Sequence, residues 1–252
     1  MRGFAALVRK ELLDFRAYPL DLVNLALSPG LLVAPHLVVA RLFGTGPDFQ
    51  SQVAVGLLLW YWLSTLFWEV GHGIGEEMEE GVLEQLLVTP KSLLAVLGAK
   101  AVGAMLTNAY ISAGIVGWLF AFGIPLPLPW PAFMGVMLLT GLGLGGFCMA
   151  YAGLVLLVKR AENLGAGTQT VLGGLAGMTA PPQVLPQAAW IISRVIPLSY
   201  GIEAARRLLG GEVVGDQLLW LVLSGAAYGV AGWALLGRAQ RRMRAAGTTG
   251  EF

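Results

Sequence analysis

The chain has 252 residues, 56% of them hydrophobic and only 12% charged, with a mean hydropathy of +0.72. A soluble domain carries roughly 25% charged residues, so these figures exclude a soluble globule and require an outer surface that mostly faces lipid. The net charge of +1 gives no basis for nucleic-acid binding, and the single cysteine, Cys148, excludes intramolecular disulfides and cysteine-based metal clusters.

In chain order, residues 1–19 predict an interfacial helix. Phe4, Leu7, Val8, Leu12 and Phe15 share one face, Arg9, Lys10 and Asp14 lie largely opposite, and Tyr18-Pro19 turns the chain into the membrane. Such a helix is either an anchor on the inner leaflet or a lever joined to a moving span. The first span, 20–40, is expected to serve as the targeting signal, since no short apolar core with a cleavage site is evident before it. Pro29, Pro35 and His36 are placed to bend it. The second span, 52–72, is crowded with Trp60, Tyr61, Trp62, Phe67 and Trp68. These aromatics either line a path for an amphiphilic or sugar substrate or anchor the span against lipid. At its inner end Glu69 and His72 read as headgroup-level residues paired with Arg9 or Lys10 rather than as a proton-sensitive couple, and Asp21 and Asn24 at the inner end of the first span read the same way.

The next stretch, 74–90, is cytoplasmic in this reading. Glu76, Glu77, Glu79 and Glu80 open a helix at its positive end, Leu83, Leu86 and Leu87 build an apolar ridge, and Thr89-Pro90 closes it. A ridge beside acids predicts docking into the groove of a partner with a basic rim. A second short helix starts at Ser92 and leads into the third span.

The charge-free run from Ala101 to Val158 is 58 residues long, too long for one crossing of about 20. Its four prolines between Gly123 and Pro131 predict an extended hairpin joining spans at 99–122 and 131–158. The following run, Asn163 to Ser193, is divided by Pro181-Pro182 into a crossing over 163–180 and an 11-residue remainder that is too short to cross. Residues 181–211 are therefore expected to dip in and return as an outer re-entrant element, packed so that its amides are satisfied. Within it Ser199 to Leu209 predicts an amphipathic helix stopped by Gly210-Gly211. Tyr200, Glu203 and Arg206 are candidate gate residues, the alternative being a cap of internal ion pairs among Arg194, Arg206, Arg207, Glu203, Glu212 and Asp216. The last span covers 217–238, and Gly247 to Phe252 read as a flexible tail. Six spans with the N-terminus in the cytoplasm put 12 of the 16 basic residues inside, so both termini are expected in the cytoplasm. Glycines at 141, 143, 145 and 146, at 173 and 177, and at 225 and 229 are expected to let spans approach closely.

Two motifs carry a resemblance. Gly81-x-Leu83-Glu84-x-Leu86-Leu87-x-x-Pro90 resembles the cytoplasmic motif of ABC-2 type exporter membrane subunits, the group of daunorubicin-resistance permeases and polysaccharide or teichoic-acid exporters. Pro197-Leu198-Ser199-Tyr200, followed by Glu203-Ala204, Arg206 and Gly210, is similar to that family's segment before its last span. The sequence departs from the family in placing acids just upstream of Gly81, where basic residues are usual. The resemblance implies an all-α membrane protein, type V exporter-like, whose whole length is a single transmembrane domain of six helices in a cell (inner or cytoplasmic) membrane. It also implies a homodimer lining a pathway, with two ABC ATPase subunits that hold ATP and Mg, and residues 74–90 as the coupling helix. No glycine-rich loop ending in Gly-Lys-Ser or Gly-Lys-Thr is present, so the chain is expected to bind no nucleotide or other cofactor, to carry no catalytic residue and to draw its energy from another subunit. The implied function is outward movement of a lipophilic small molecule, lipid or glycan. The alternative is an ATPase-independent secondary transporter or channel, against which stands the lack of a mid-bilayer charge suited to ion coupling.

Overall fold

The computed structural model describes residues 2–17, 19–43, 47–74, 92–158, 165–180 and 186–246, and among them every regular element is a helix. In chain order they are α1 (Arg2–Ala17), α2 (Pro19–Phe43), α3 (Pro47–Leu66, continued by a π-helical turn over Phe67–His72), α4 (Leu93–Ala121), α5 (Trp130–Val158), α6 (Gly165–Ala176), α7 (Gln187–Ser193), α8 (Pro197–Leu209) and α9 (Gly215–Ala246). Among the described residues, five stretches are long and apolar enough to cross a membrane: Leu20–Leu42, Phe49–Gly71, Leu93–Ala121, Trp130–Leu157 and Gly215–Arg244. They coincide with five of the six expected spans. Helices satisfy their own amides, which is what hydrocarbon demands.

Two of the apolar runs that prolines interrupt behave differently. α2 stays helical through Pro29 and Pro35. Beside it α4 supplies hydrogen bonds to the backbone: Trp118 Nε1 donates to the Ala26 carbonyl (3.1 Å) and the Tyr110 hydroxyl to that of Leu22 (3.0 Å). Between α4 and α5, by contrast, three closely spaced prolines, Pro125, Pro127 and Pro129, hold the chain extended, while the fourth, Pro131, falls in the first turn of α5. Gly123, at φ 70°, turns it out of α4. Ile124, Leu126 and Leu128 are then buried while Pro125, Pro127 and Pro129 are exposed, the two-residue alternation of an extended strand. The Ser51 hydroxyl ties this turn to α3 through the Pro125 carbonyl (2.7 Å).

Two expectations change. The short helix from Ser92 and the third span are one continuous helix, because nothing between Leu93 and Ala121 breaks it; Ser92 caps it, its Oγ accepting from the Ala95 amide (3.2 Å). In the expected span at 163–180 the helix ends at Ala176. Gly177 takes φ 90°, a left-handed stop that only glycine adopts without strain, so it terminates α6 instead of forming a packing pair with Gly173.

α3 lies at the centre and is buried over most of its length. The tightest pairing joins α5 to α9 through Gly143, Gly146, Gly225 and Gly229 of the expected glycines and through Gly232, which was not among them, whereas Gly141 faces Trp62 and Gly145 meets nothing. A Cβ on Gly146 would stand 2.8 Å from the Gly229 nitrogen, and one on Gly232 would stand 3.0 Å from the Ala150 nitrogen, so the backbones touch where side chains would normally keep them apart. Gly173 instead receives the edge of Trp60.

Candidate functional site

The expected coupling residues Glu76, Glu77, Glu79, Glu80, Gly81, Leu83, Glu84, Leu86, Leu87 and Pro90 lie outside the described residues. Their neighbours on either side are described. Ile74, after the π-helical turn of α3, is fully buried, and α4 begins at Leu93. α1 packs along α4, where the ring of Phe4 comes within 3.6 Å of the position a Cβ on Gly98 would take.

At the other end of the bundle, α7 and α8 form a helical hairpin. Pro197 is pre-organised for the first turn of α8, Arg206 and Arg207 sit in its last turn where the helix dipole favours cations, and Gly210 ends it. Leu198, Ile202, Ala204, Ala205 and Leu208 fill its buried face. Gly201 leaves room for Thr140 of α5, whose own hydroxyl is returned to the Val136 carbonyl (2.7 Å). The hairpin tip, Arg194–Ile196, is deep. Pro197 contacts α5 at Gly143, about 20 Å from Trp130 along the helix at 1.5 Å per residue. Tyr228, about 20 Å from the start of α9 on the same reckoning, donates to the Val195 carbonyl (2.9 Å). Two more hydroxyls satisfy the tip: Ser199 donates to the Ser193 carbonyl (2.6 Å) and Tyr200 to that of Arg194 (2.9 Å).

Above the tip runs a ladder of charges. Arg194 donates to one Glu203 oxygen (2.9 Å), Arg207 and Gln217 donate to the other (3.2 and 3.0 Å), and Arg207 continues to Asp216 (3.1 Å). Glu203 is the most enclosed of the four charges, with 14% of its side chain exposed. The Arg194 guanidinium also stacks over Trp190 and Tyr200 at 5.2 and 5.7 Å from their centroids. Arg206 leaves the expected ion-pair group. It points the other way, donating from Nη2 to the carbonyls of Gly177 (2.6 Å) and Met178 (3.4 Å) and from Nε to that of Gln52 (3.3 Å). Burial lowers its pKa to about 10, with the charge of Glu203 opposing, so it remains a cation at neutral pH. It thus joins the end of α6 to the start of α3.

A family model described as an ABC-2 family transporter protein matches residues 20–234, from the start of α2 into the second half of α9. This chain belongs to the ABC-2 family. It is accordingly a multi-pass membrane protein, and members of the family are generally the non-catalytic membrane subunits that work beside an ABC ATPase. No curated protein matches it.

In this ABC-2 protein Trp60, Trp62, Phe67 and Tyr200 are buried within the chain, whereas Tyr61 is half-buried and Trp68 is exposed. Trp60 (8% exposed) donates to the Gln169 carbonyl (3.3 Å), and Trp62 (2%) to the Ser112 hydroxyl (2.8 Å). Phe67, fully buried in the π-helical turn, meets Tyr151 of α5 at 4.6 Å. Tyr200 stacks on Trp220 at 6.4 Å. Their partners Ser64, Asn108, Ser112 and Gln169 were not singled out from the sequence, although each is a polar residue inside a charge-free stretch. Ser64 donates to Gln169 Oε1 (2.7 Å), and Asn108 donates weakly to the Trp62 carbonyl (3.5 Å). Asp21, Asn24 and Glu69 are exposed; the His72 side chain lies outside the described residues.

Proposed function

We propose that this chain is the membrane-spanning permease subunit of an ATP-driven exporter, working as a homodimer with two ABC ATPase subunits that hold ATP and Mg. It moves a lipophilic small molecule, lipid or glycan outward across the cell membrane. Within the family, the observation that carries the reading is the α7–α8 hairpin. Its tip sits about 20 Å along α5 and α9, its carbonyls are satisfied by Ser199, Tyr200 and Tyr228, and its charges lie between the tip and the loop before α9. Such an element suits a re-entrant outer gate, with Tyr200, Glu203 and Arg206 holding its closed form. Six crossings are supported by α6, which contacts the π-helical turn of α3 at one end while Arg206 ties its other end to Gln52, about 22 Å away along α3. A sixth crossing there leaves both termini cytoplasmic.

Coupling is assigned to residues 74–90, which connect the central helix α3 to α4. Movement of this segment would reach the core directly, because Ile74 and Phe67 are fully buried at the end of α3. The test is co-purification and transport. The chain should retain a P-loop ATPase on purification and export only with ATP. Glu84→Arg and Leu87→Arg should each leave insertion and ATPase activity intact while transport falls. Transport by the chain alone would support the channel or secondary-transporter reading instead, and unaltered transport in both variants would remove the coupling assignment.

A further inference from the structure

Between α3, α4 and α5, toward the 123–129 turn, lies a cavity of about 420 Å³, within the size range of small-ligand sites at roughly 300–1,000 Å³. Its walls are two parallel stripes: Ala109, Ser112, Ala113 and Val116 recur at helical spacing on α4, and Trp130, Phe133, Met134, Met137 and Leu138 on α5, with Leu58 and Trp62 of α3 at the back. The α5 stripe is about 12 Å long at 1.5 Å per residue, so the cavity runs along the helices. Its mouth lies between the two helices, bordered by Met134 and Leu138 of α5, 59% and 55% exposed, and by the exposed Ala109 and Ala113 of α4, all on candidate spans and so open toward hydrocarbon.

Two features fix the chemistry of the occupant. The polar groups at the back, Ser112 and Trp62, are bonded to each other, so they do not call for a polar ligand. The Trp62 ring cannot swing in to fill the space, because it is lodged against Gly141, where an added Cβ would lie 2.5 Å from the ring, and is held by Ser112. A dry void forfeits dispersion contacts, and water there would find few partners. We propose that the cavity is a binding slot for one hydrocarbon chain of a bilayer lipid, entering between α4 and α5 from the leaflet on the side of the 123–129 turn and lying parallel to α5. The slot rests on the membrane setting of these helices and not on the direction or energy source of transport.

The test is photocrosslinking of the full chain in membranes containing a phospholipid with a diazirine in one acyl chain. Adducts are expected on Met137 and Trp62, which are only 9% and 2% exposed and face the lipid through the slot, as well as on the exposed Leu219 of α9. Ala113→Leu and, independently, Ala109→Phe should abolish the Met137 and Trp62 adducts and leave Leu219 labelled. Adducts confined to Met134, Leu138 and Leu219 would mean ordinary boundary lipid and overturn the slot. So would inner labelling that persists in either folded filled variant, or disulfide-linked dimers of Leu138→Cys in a Cys148→Ala background with Met137 unlabelled, which would mean that a second copy covers the mouth. If neither filled variant folds, the labelling pattern of the wild-type chain decides.

Discussion

Arg206 is a cation whose nearest partners are backbone carbonyls. Its guanidinium fork reaches Gly177, Met178 and Gln52 together, and a planar, multi-donor group suits such a target where a single ammonium does not. Removing it strands carbonyls at the end of α6, and hydrogen bonds to charged groups are worth about 1.5–3 kcal/mol each in net terms. Arg206→Ala is therefore expected to destabilise the detergent-solubilised protein by about 3 kcal/mol, seen as a lower thermal midpoint. Arg206→Lys should recover only part of the loss. Glu203→Gln should act differently: it keeps the acceptor for Arg194 but weakens the charge pairing with Arg207, so its effect should be smaller and should shrink further in high salt. Equal losses in Arg206→Ala and Glu203→Gln would mean that the carbonyl clamp contributes nothing beyond ordinary ion pairing.

At the scale of elements, the α5–α9 contact is decided by which glycine faces which backbone. Gly145 and Gly146 are neighbours in sequence, yet a Cβ on Gly145 meets nothing within 4 Å while one on Gly146 would press on the Gly229 nitrogen at 2.8 Å. Gly146→Val should force the helices apart at a cost of about 1–3 kcal/mol, whereas Gly145→Ala should be nearly neutral or slightly stabilising through helix propensity; paired thermal melts distinguish the two. That glycines would bring spans together was readable from the sequence, because small residues in an apolar run have few other uses. Which glycine does so was not, since it depends on the facing helix. The same division holds elsewhere. The 123–129 turn is written in its prolines, which no neighbour can make helical, and the long spans are written in the absence of charge. The stop at Gly177 depends on a left-handed glycine and on an arginine 29 positions further along the chain. The burial of Trp60 and Trp62 depends on Gln169 and Ser112, residues too ordinary to stand out until the helices are packed. In the hairpin, the clustering of charge was legible, but the departure of Arg206 from its ion-pair partners was not.

For the whole molecule, sidedness turns on α6. If it crosses, the chain passes the membrane six times, and the loop before α9 and the end of α9 lie on opposite sides, with the end of α9 on the same side as α1, which the proposed orientation puts in the cytoplasm. If it does not, these two sites exchange sides while everything before α6 keeps its place. Val213, 88% exposed, and Arg244, also exposed, mark the two positions. Cysteines placed there one at a time in a Cys148→Ala background can be probed with a membrane-impermeant maleimide. Val213→Cys should react in intact cells and Arg244→Cys only after permeabilisation. The reverse pattern would mean that α6 turns back, because a single missing crossing must move both reporters together. The positive-inside bias favours the first outcome: Arg238, Arg241, Arg242 and Arg244 sit at the end of α9 beside no acidic residue in that turn. Holding four arginines on the outer face would oppose the asymmetry that the rest of the chain follows.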